Sequence, residues 1–150
     1  MTGHRHRDSG GAVGFELLPF LVLVFVVGAL MIAQAWSVLD AKLATNSAAR
    51  EATRTFVEHQ AGAEAAALAS ALDAGAAAAR AHNPARDTAV SLVEGALVRC
   101  ERVTFEAEQS IDLLRVPLLG GAGTMTVRST HSEIVDPFRD GLDGEASCAT

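Results

Sequence analysis

From Leu17 to Leu39 the chain runs for 23 residues without a charged side chain, LLPFLVLVFVVGALMIAQAWSVL. A helix of about 20 apolar residues covers the hydrocarbon core of a bilayer, so this run predicts a membrane-spanning helix with some tilt. Gln34 and Trp36, near its far end, suit an interfacial position. His4, Arg5, His6 and Arg7 precede the run, and Asp40 and Lys42 follow it. By the positive-inside rule the N-terminus stays in the cytoplasm and residues from 40 onward lie outside. Two other readings remain open. One is a secretory signal cut after Ala33-Gln34-Ala35, although apolar residues continue at Val38 and Leu39. The other is a single-span anchor that is never processed.

The lip of the run carries an acid. Gly11 is followed by Ala12-Val13-Gly14-Phe15-Glu16, so Glu16 is the fifth residue after the glycine. A carboxylate at the edge of hydrocarbon is costly unless it has a partner or a task. The dipole of a first helical turn offsets only about 0.3–1 kcal/mol of that. A basic leader, a glycine, an acid five residues on and an immediate apolar run together resemble the processing site of type IV prepilins. That resemblance implies cleavage between Gly11 and Ala12 by a prepilin peptidase. Glu16 would then neutralise a freed α-amine on its own chain or the next subunit, pairing two charges and setting axial register. Pro19 cannot donate to the carbonyl of Phe15, so a kink or loosened turn is expected there.

Residues 40–81 are alanine-rich and predict helix. Ala49, Ala52, Phe56, Ala63, Ala67, Leu68, Ala71 and Leu72 recur at steps of three and four and form one narrow stripe. Arg50, Arg54, Glu58, Glu64 and Arg80 stand among the polar positions, most simply as a solvated face. With no breaker before Gly62, the helix is expected to continue from Ala12 to about Ala81, roughly 100 Å if unbroken. Gly62 and Gly75 each weaken that expectation by about 1 kcal/mol.

The stretch Asn46-Ser47-Ala48-Ala49-Arg50-Glu51-Ala52-Thr53-Arg54 follows the span. With GAVGFE and the early proline, this N-x-A-A-R-x-A-x-R pattern resembles the TadE-like family, minor pilin-like (pseudopilin) components of the Tad or Flp type IV pilus. The likeness covers about residues 10 to 57. It singles out Asn46, Ala48, Ala49, Arg50, Ala52 and Arg54 as the second half of the signature. In one respect the chain departs from it: only Leu17 and Leu18 separate Glu16 from Pro19, fewer residues than family members often have. The resemblance implies membrane lipid, other pilin-like subunits, the Tad secretion machinery and the prepilin peptidase as partners.

Asn83-Pro84 reads as an N-cap and first-turn pair, opening a second helix of about 14 residues through Ala89, Leu92, Val93, Ala96 and Leu97. RCERVTFEAE then alternates, with Val103, Phe105 and Ala107 on one face, and predicts a strand. SIDLLRVPLLGG and TMTVRSTHSEIV are further strand candidates around Gly120-Gly121-Ala122-Gly123; Pro117 makes the first of them an edge strand or its end. The acidic, glycine-rich tail FRDGLDGEASCAT is expected to be loosely ordered unless Cys148 ties it down.

The predicted class is therefore α+β. A long N-terminal helix, membrane-spanning in its first half and alanine-rich in its second, precedes a second short helix and a small antiparallel β region. The expected divisions are a cytoplasmic leader (1–11), the span (12–39), an extracytoplasmic helix (40–82), a small α+β region (83–138) and a flexible tail (139–150).

Little else points to chemistry. Twelve basic and eighteen acidic residues give a net charge of −6, which disfavours nucleic acid as a partner. His4, His6, His59, His82 and His131 are scattered, and no HExxH occurs. Thr130-His131-Ser132-Glu133 alternates across a strand and cannot converge as a triad. Gly120–Gly123 lacks the lysine of a phosphate loop and reads as a turn. The chain is expected to be no enzyme and to take no metal, cofactor or small-molecule substrate. Cys100 and Cys148 fit no CxxC pattern. They pair as a disulfide if the C-terminal region lies outside the cytoplasm, and are otherwise two unrelated thiols.

Overall fold

A computed structural model describes residues 13–60, 64–113 and 123–148, with the backbone alone for 13–16. Two helices precede three strands: α1 (Val13–Val57), α2 (Glu64–His82), β1 (Thr88–Glu94), β2 (Arg102–Asp112) and β3 (Thr124–Ile134). The chain divides into two compact units, one ending at Ala35 and one from Trp36 to the C-terminus. The predicted α+β class, with two helices ahead of an antiparallel sheet, is the one observed.

In the first unit α1 is apolar and unburied, with Leu17, Leu18, Phe20, Leu21, Phe25, Met31 and Ile32 all exposed. Its best window has a mean hydropathy of 2.5, long and apolar enough to cross a membrane. The helix runs through Pro19.

In the second unit the sheet is antiparallel throughout, in the order β1-β2-β3. Period-two alternation decides its faces. Val103, Phe105, Ala107, Gln109 and Ile111 of β2 are buried, as are Val127 and Ser129 of β3. Their alternate neighbours form a polar outer face, on which Arg128 Nε meets Glu108 Oε1 at 2.8 Å and Thr104 Oγ1 lies 2.8 Å from Ser132 Oγ. The inner face packs on α1 and α2, and side-chain size grades along it. At one end Phe56 and Phe105 meet edge to face, ring centroids 5.5 Å apart, among Leu97, Val103 and Val135. Such a pair contributes about 0.5–1.5 kcal/mol beyond its area. In the middle Ala48, Ala49, Ala79 and Ala107 meet. At the far end Ala41 lies with Ile111 and Val127.

The expected continuous helix over 40–82 is corrected: α1 ends at Val57 and α2 starts at Glu64. Ala49, Ala52 and Phe56 are buried on α1, and Ala67 and Ala71 on α2, so the predicted stripe is core but lies on two helices. Alanine faces bury little area alone, and doubling back lets both share one sheet. The turn is held by Arg139 of the tail, whose Nη2 donates to the carbonyls of Glu58 (2.7 Å) and His59 (2.6 Å). An arginine at a helix C-terminus satisfies carbonyls that lack intrahelical partners.

The second short helix is also not where it was expected. Residues 88–94 form β1, not the helix predicted to follow Asn83-Pro84. Asn83 Oδ1 accepts the amide of Ala85 (3.0 Å), an Asx turn rather than an N-cap. Thr88, Val90 and Leu92 turn inward against Gln109, Ala107 and Phe105, the apolar column that β2 offers. Gly95, at φ +93°, ends the strand where a Cβ would collide with the carbonyl of Arg102.

The other strand expectations fall into place around β2. RCERVTFEAE lies largely within it, and Ser110–Asp112 extends it instead of starting a separate strand. Pro117 and Gly120–Gly121 lie outside the described residues. TMTVRSTHSEIV is β3 and the residue after it. Cys100 and Cys148 are joined by a disulfide, and Arg99 donates to the carbonyl of Arg139 through Nε (2.9 Å) and Nη2 (2.7 Å).

Candidate functional site

The residues singled out by the prepilin-like pattern divide sharply. Gly11, Ala12 and the side chain of Glu16 lie outside the described residues. Asn46, Ala48, Ala49, Arg50, Ala52 and Arg54 all fall on α1 in the second unit. Ala48, Ala49 and Ala52 are wholly buried between the sheet and α2. Their small size is what the geometry needs: a Cβ at Gly75 of α2 would stand 2.9 Å from the Ala48 carbonyl oxygen and 3.0 Å from the Ala52 Cβ. Thr53, in the same turn, is buried and its hydroxyl donates to the carbonyl of Ala49 (2.7 Å).

The polar half of the pattern stays on the surface. Asn46, Arg50 and Arg54 are exposed. Arg54 Nε meets Glu58 Oε1 at 3.0 Å, one turn on. That hydrogen bond, then the charges of Glu58 and Glu51, hold the Arg54 guanidinium above its ordinary pKa. Being exposed, the pair is a modest contribution to stability.

Where the uncharged run ends, two polar constellations form that no local pattern announced. On one side, Arg86 reaches back to α1. Its Nη2 donates to Ser37 Oγ (2.9 Å) and its Nη1 lies 3.8 Å from Asp40 Oδ2, which also accepts from Asn83 Nδ2 (3.2 Å). On the other, Lys42 Nζ donates to the carbonyl of Arg128 on β3, and Thr45 Oγ1 lies 2.9 Å from Ser129 Oγ beneath it. Lys42, Asn46, Arg128, Ser129 and Thr130 line an open groove of about 320 Å³ between α1 and β3. Partners 40 to 90 positions apart in sequence leave no signal in spacing. The only hint was polar Ser37, Asp40 and Lys42 clustering at the end of the apolar run.

Ser47 Oγ lies 3.0 Å from His82 Nε2, joining α1 to the end of α2. Among the described residues no carboxylate orients that imidazole, so the pair lacks the third member of a nucleophilic relay. His131 and Glu133 share a face and meet at 3.1 Å, whereas Ser132 points to the opposite face and Thr104. Among the described residues no group of three or more His, Cys, Asp or Glu could hold a metal ion.

No protein-family model, curated protein or solved structure matches the chain.

Proposed function

We propose that the protein is a TadE-like minor pilin or pseudopilin, a structural and assembly component of a Tad/Flp-type type IV pilus. In this reading the N-terminus is cytoplasmic and a prepilin peptidase cuts between Gly11 and Ala12. Residues beyond the span lie outside the cytoplasm. The helix meets lipid, other pilin-like subunits and the Tad secretion machinery. The protein has no catalytic role.

The observation that carries this reading is GAVGFE at the lip of an uncharged 23-residue run, following a basic leader. Two features of the second unit support it. The Cys100–Cys148 disulfide suits an oxidising compartment beyond the membrane. The buried alanines of N-x-A-A-R-x-A-x-R give that pattern a task, letting α2 and the sheet approach α1 closely. Glu16 would pair with the new α-amine, since a lone charge among packed apolar helices is costly.

The mass and first residue of the protein recovered from membranes test the reading. A chain beginning at Ala12 is expected. One beginning at residue 1 or 2, from cells with an active prepilin peptidase, leaves an unprocessed single-span anchor. One beginning at Trp36 leaves a secreted domain.

A further inference from the structure

We propose that the β2–β3 end of the sheet rests on the lipid surface, where Leu113 shares one membrane contact with Trp36 and Leu39 of α1. The proposal rests on the membrane-spanning reading of α1 and is independent of processing at Gly11.

The direction of β2 is the first ground. Phe105 meets Phe56, Ala107 meets Ala48 and Ala49, and Ile111 meets Ala41. β2 therefore runs back along α1 toward the uncharged run, whose last residue is Leu39. Val38, within that run, packs on the same cluster as Ile111 and Val127, and so does Met125 of β3. Two more residues of extended chain advance about 6–7 Å, the rise of about four helical residues. Leu113, two beyond Ile111, thus stands level with Ser37, at a depth that α1 gives to lipid.

The character of that end is the second. Leu113 is exposed, as are Trp36 and Leu39. The Leu113 amide donates to the Gly123 carbonyl (2.8 Å), so the chain leaves the described sheet and rejoins it at this one end. The nine residues between them, LRVPLLGGA, hold four large aliphatic side chains, Leu114, Val116, Leu118 and Leu119, and one charge, Arg115. Such a composition gains free energy by meeting hydrocarbon rather than water. Its cation is of the sign that anionic headgroups attract. Asp112, exposed and paired in register with Thr124, limits the depth. An ionised carboxylate is costly in hydrocarbon, so Asp112 stays among headgroups and the contact is interfacial. The contact continues the surface that α1 already offers to the bilayer, and it fixes how the sheet leans on the membrane.

The test places the full chain in nanodiscs whose phosphatidylcholine carries bromine near the acyl carbonyls, and reads tryptophan emission. Trp36 is the chain's single tryptophan and reports on the span itself. In the unaltered chain it is expected to lose most of its emission to bromine. Leu113→Trp in a Trp36→Phe background should lose most of its emission too. Ile134→Trp in that background lies at the opposite end of the strands, across from Arg102, and should respond to aqueous iodide alone. A tryptophan at 113 quenched by iodide and not by bromine overturns the lipid contact. One quenched by neither overturns it in favour of a protein surface. An unquenched Trp36 overturns the spanning reading and the contact with it. The unaltered chain supplies a check free of substitution. A photoactivatable phosphatidylcholine in the same discs should label the tryptic peptide 103–115 and spare 129–139. Label on the apolar run without label on 103–115 overturns the contact as well. All these readouts are the same whether the chain starts at residue 1 or at Ala12.

Discussion

Gly75 of α2 sits so close to Ala48 of α1 that a methyl group on it would stand 2.9 Å from the Ala48 carbonyl oxygen. Within a helix such a glycine costs about 1 kcal/mol relative to alanine. Here that cost secures an approach no larger residue permits, with Ala52 and Val90 closing the remaining sides.

Gly75→Ala should therefore destabilise the domain despite its better helix propensity. Overpacking against backbone costs about 1–3 kcal/mol and the propensity gain returns about 1, so a net loss of about 1 kcal/mol or more is expected in denaturant melts. An increase in stability would show that the two helices are free to separate.

Gln109 behaves in the opposite sense. It is buried on the inner face, and among the described residues neither its amide nitrogen nor its oxygen has a partner, nor does Thr88 Oγ1 across the strand pair. Gln109→Leu, of similar volume, should raise stability by about 1 kcal/mol, because an unsatisfied buried polar group is costly. A loss of that size in the same melts would mean the amide is bonded after all.

The disulfide closes a loop 48 residues apart in sequence and ties down a tail that also caps α1 through Arg139. On loop-closure entropy, a Cys148→Ser variant or the reduced protein should lose about 4 kcal/mol. Amide exchange at His59, Gln60 and the tail should accelerate first. A reduced protein as stable as the oxidised one would reduce the bridge to an ornament.

For the proposed assembly role, Glu16→Ala separates processing from pairing. Cleavage after Gly11 should persist while surface pili fall by an order of magnitude or more, in line with an unpaired α-amine left among apolar helices. Undiminished piliation would remove the charge-pairing role even where cleavage occurs.

Several of these relationships were half visible in the sequence. Ala49, Ala52, Phe56, Ala67 and Ala71 were recognisable as core from their spacing, and they are core. What spacing could not convey was that they lie on two helices, since a stripe at steps of three and four looks the same straight or folded back. The turn depends on Arg139, some 80 residues away. In the same way Ala89, Leu92 and Val93 satisfied a helical period while Thr88, Val90 and Leu92 satisfied a period of two. The free edge of β2 decided between them. Asn83-Pro84 suits a helix start because the pair caps helices well, but an Asx turn uses the same side chain.

Local and periodic features were settled by the chain itself: an apolar run of membrane-crossing length, the β2 and β3 alternation, and the α+β order. Each arises from interactions between residues a few positions apart, which the sequence states directly. The groove of Lys42 and Arg128, the Arg86–Asp40 pair, the close pass of Gly75 and the Arg139 cap were decided only by the tertiary fold. Their partners meet because burying a common face of alanines and β-branched residues brought distant segments together, and that energy belongs to the assembled core rather than to any one stretch.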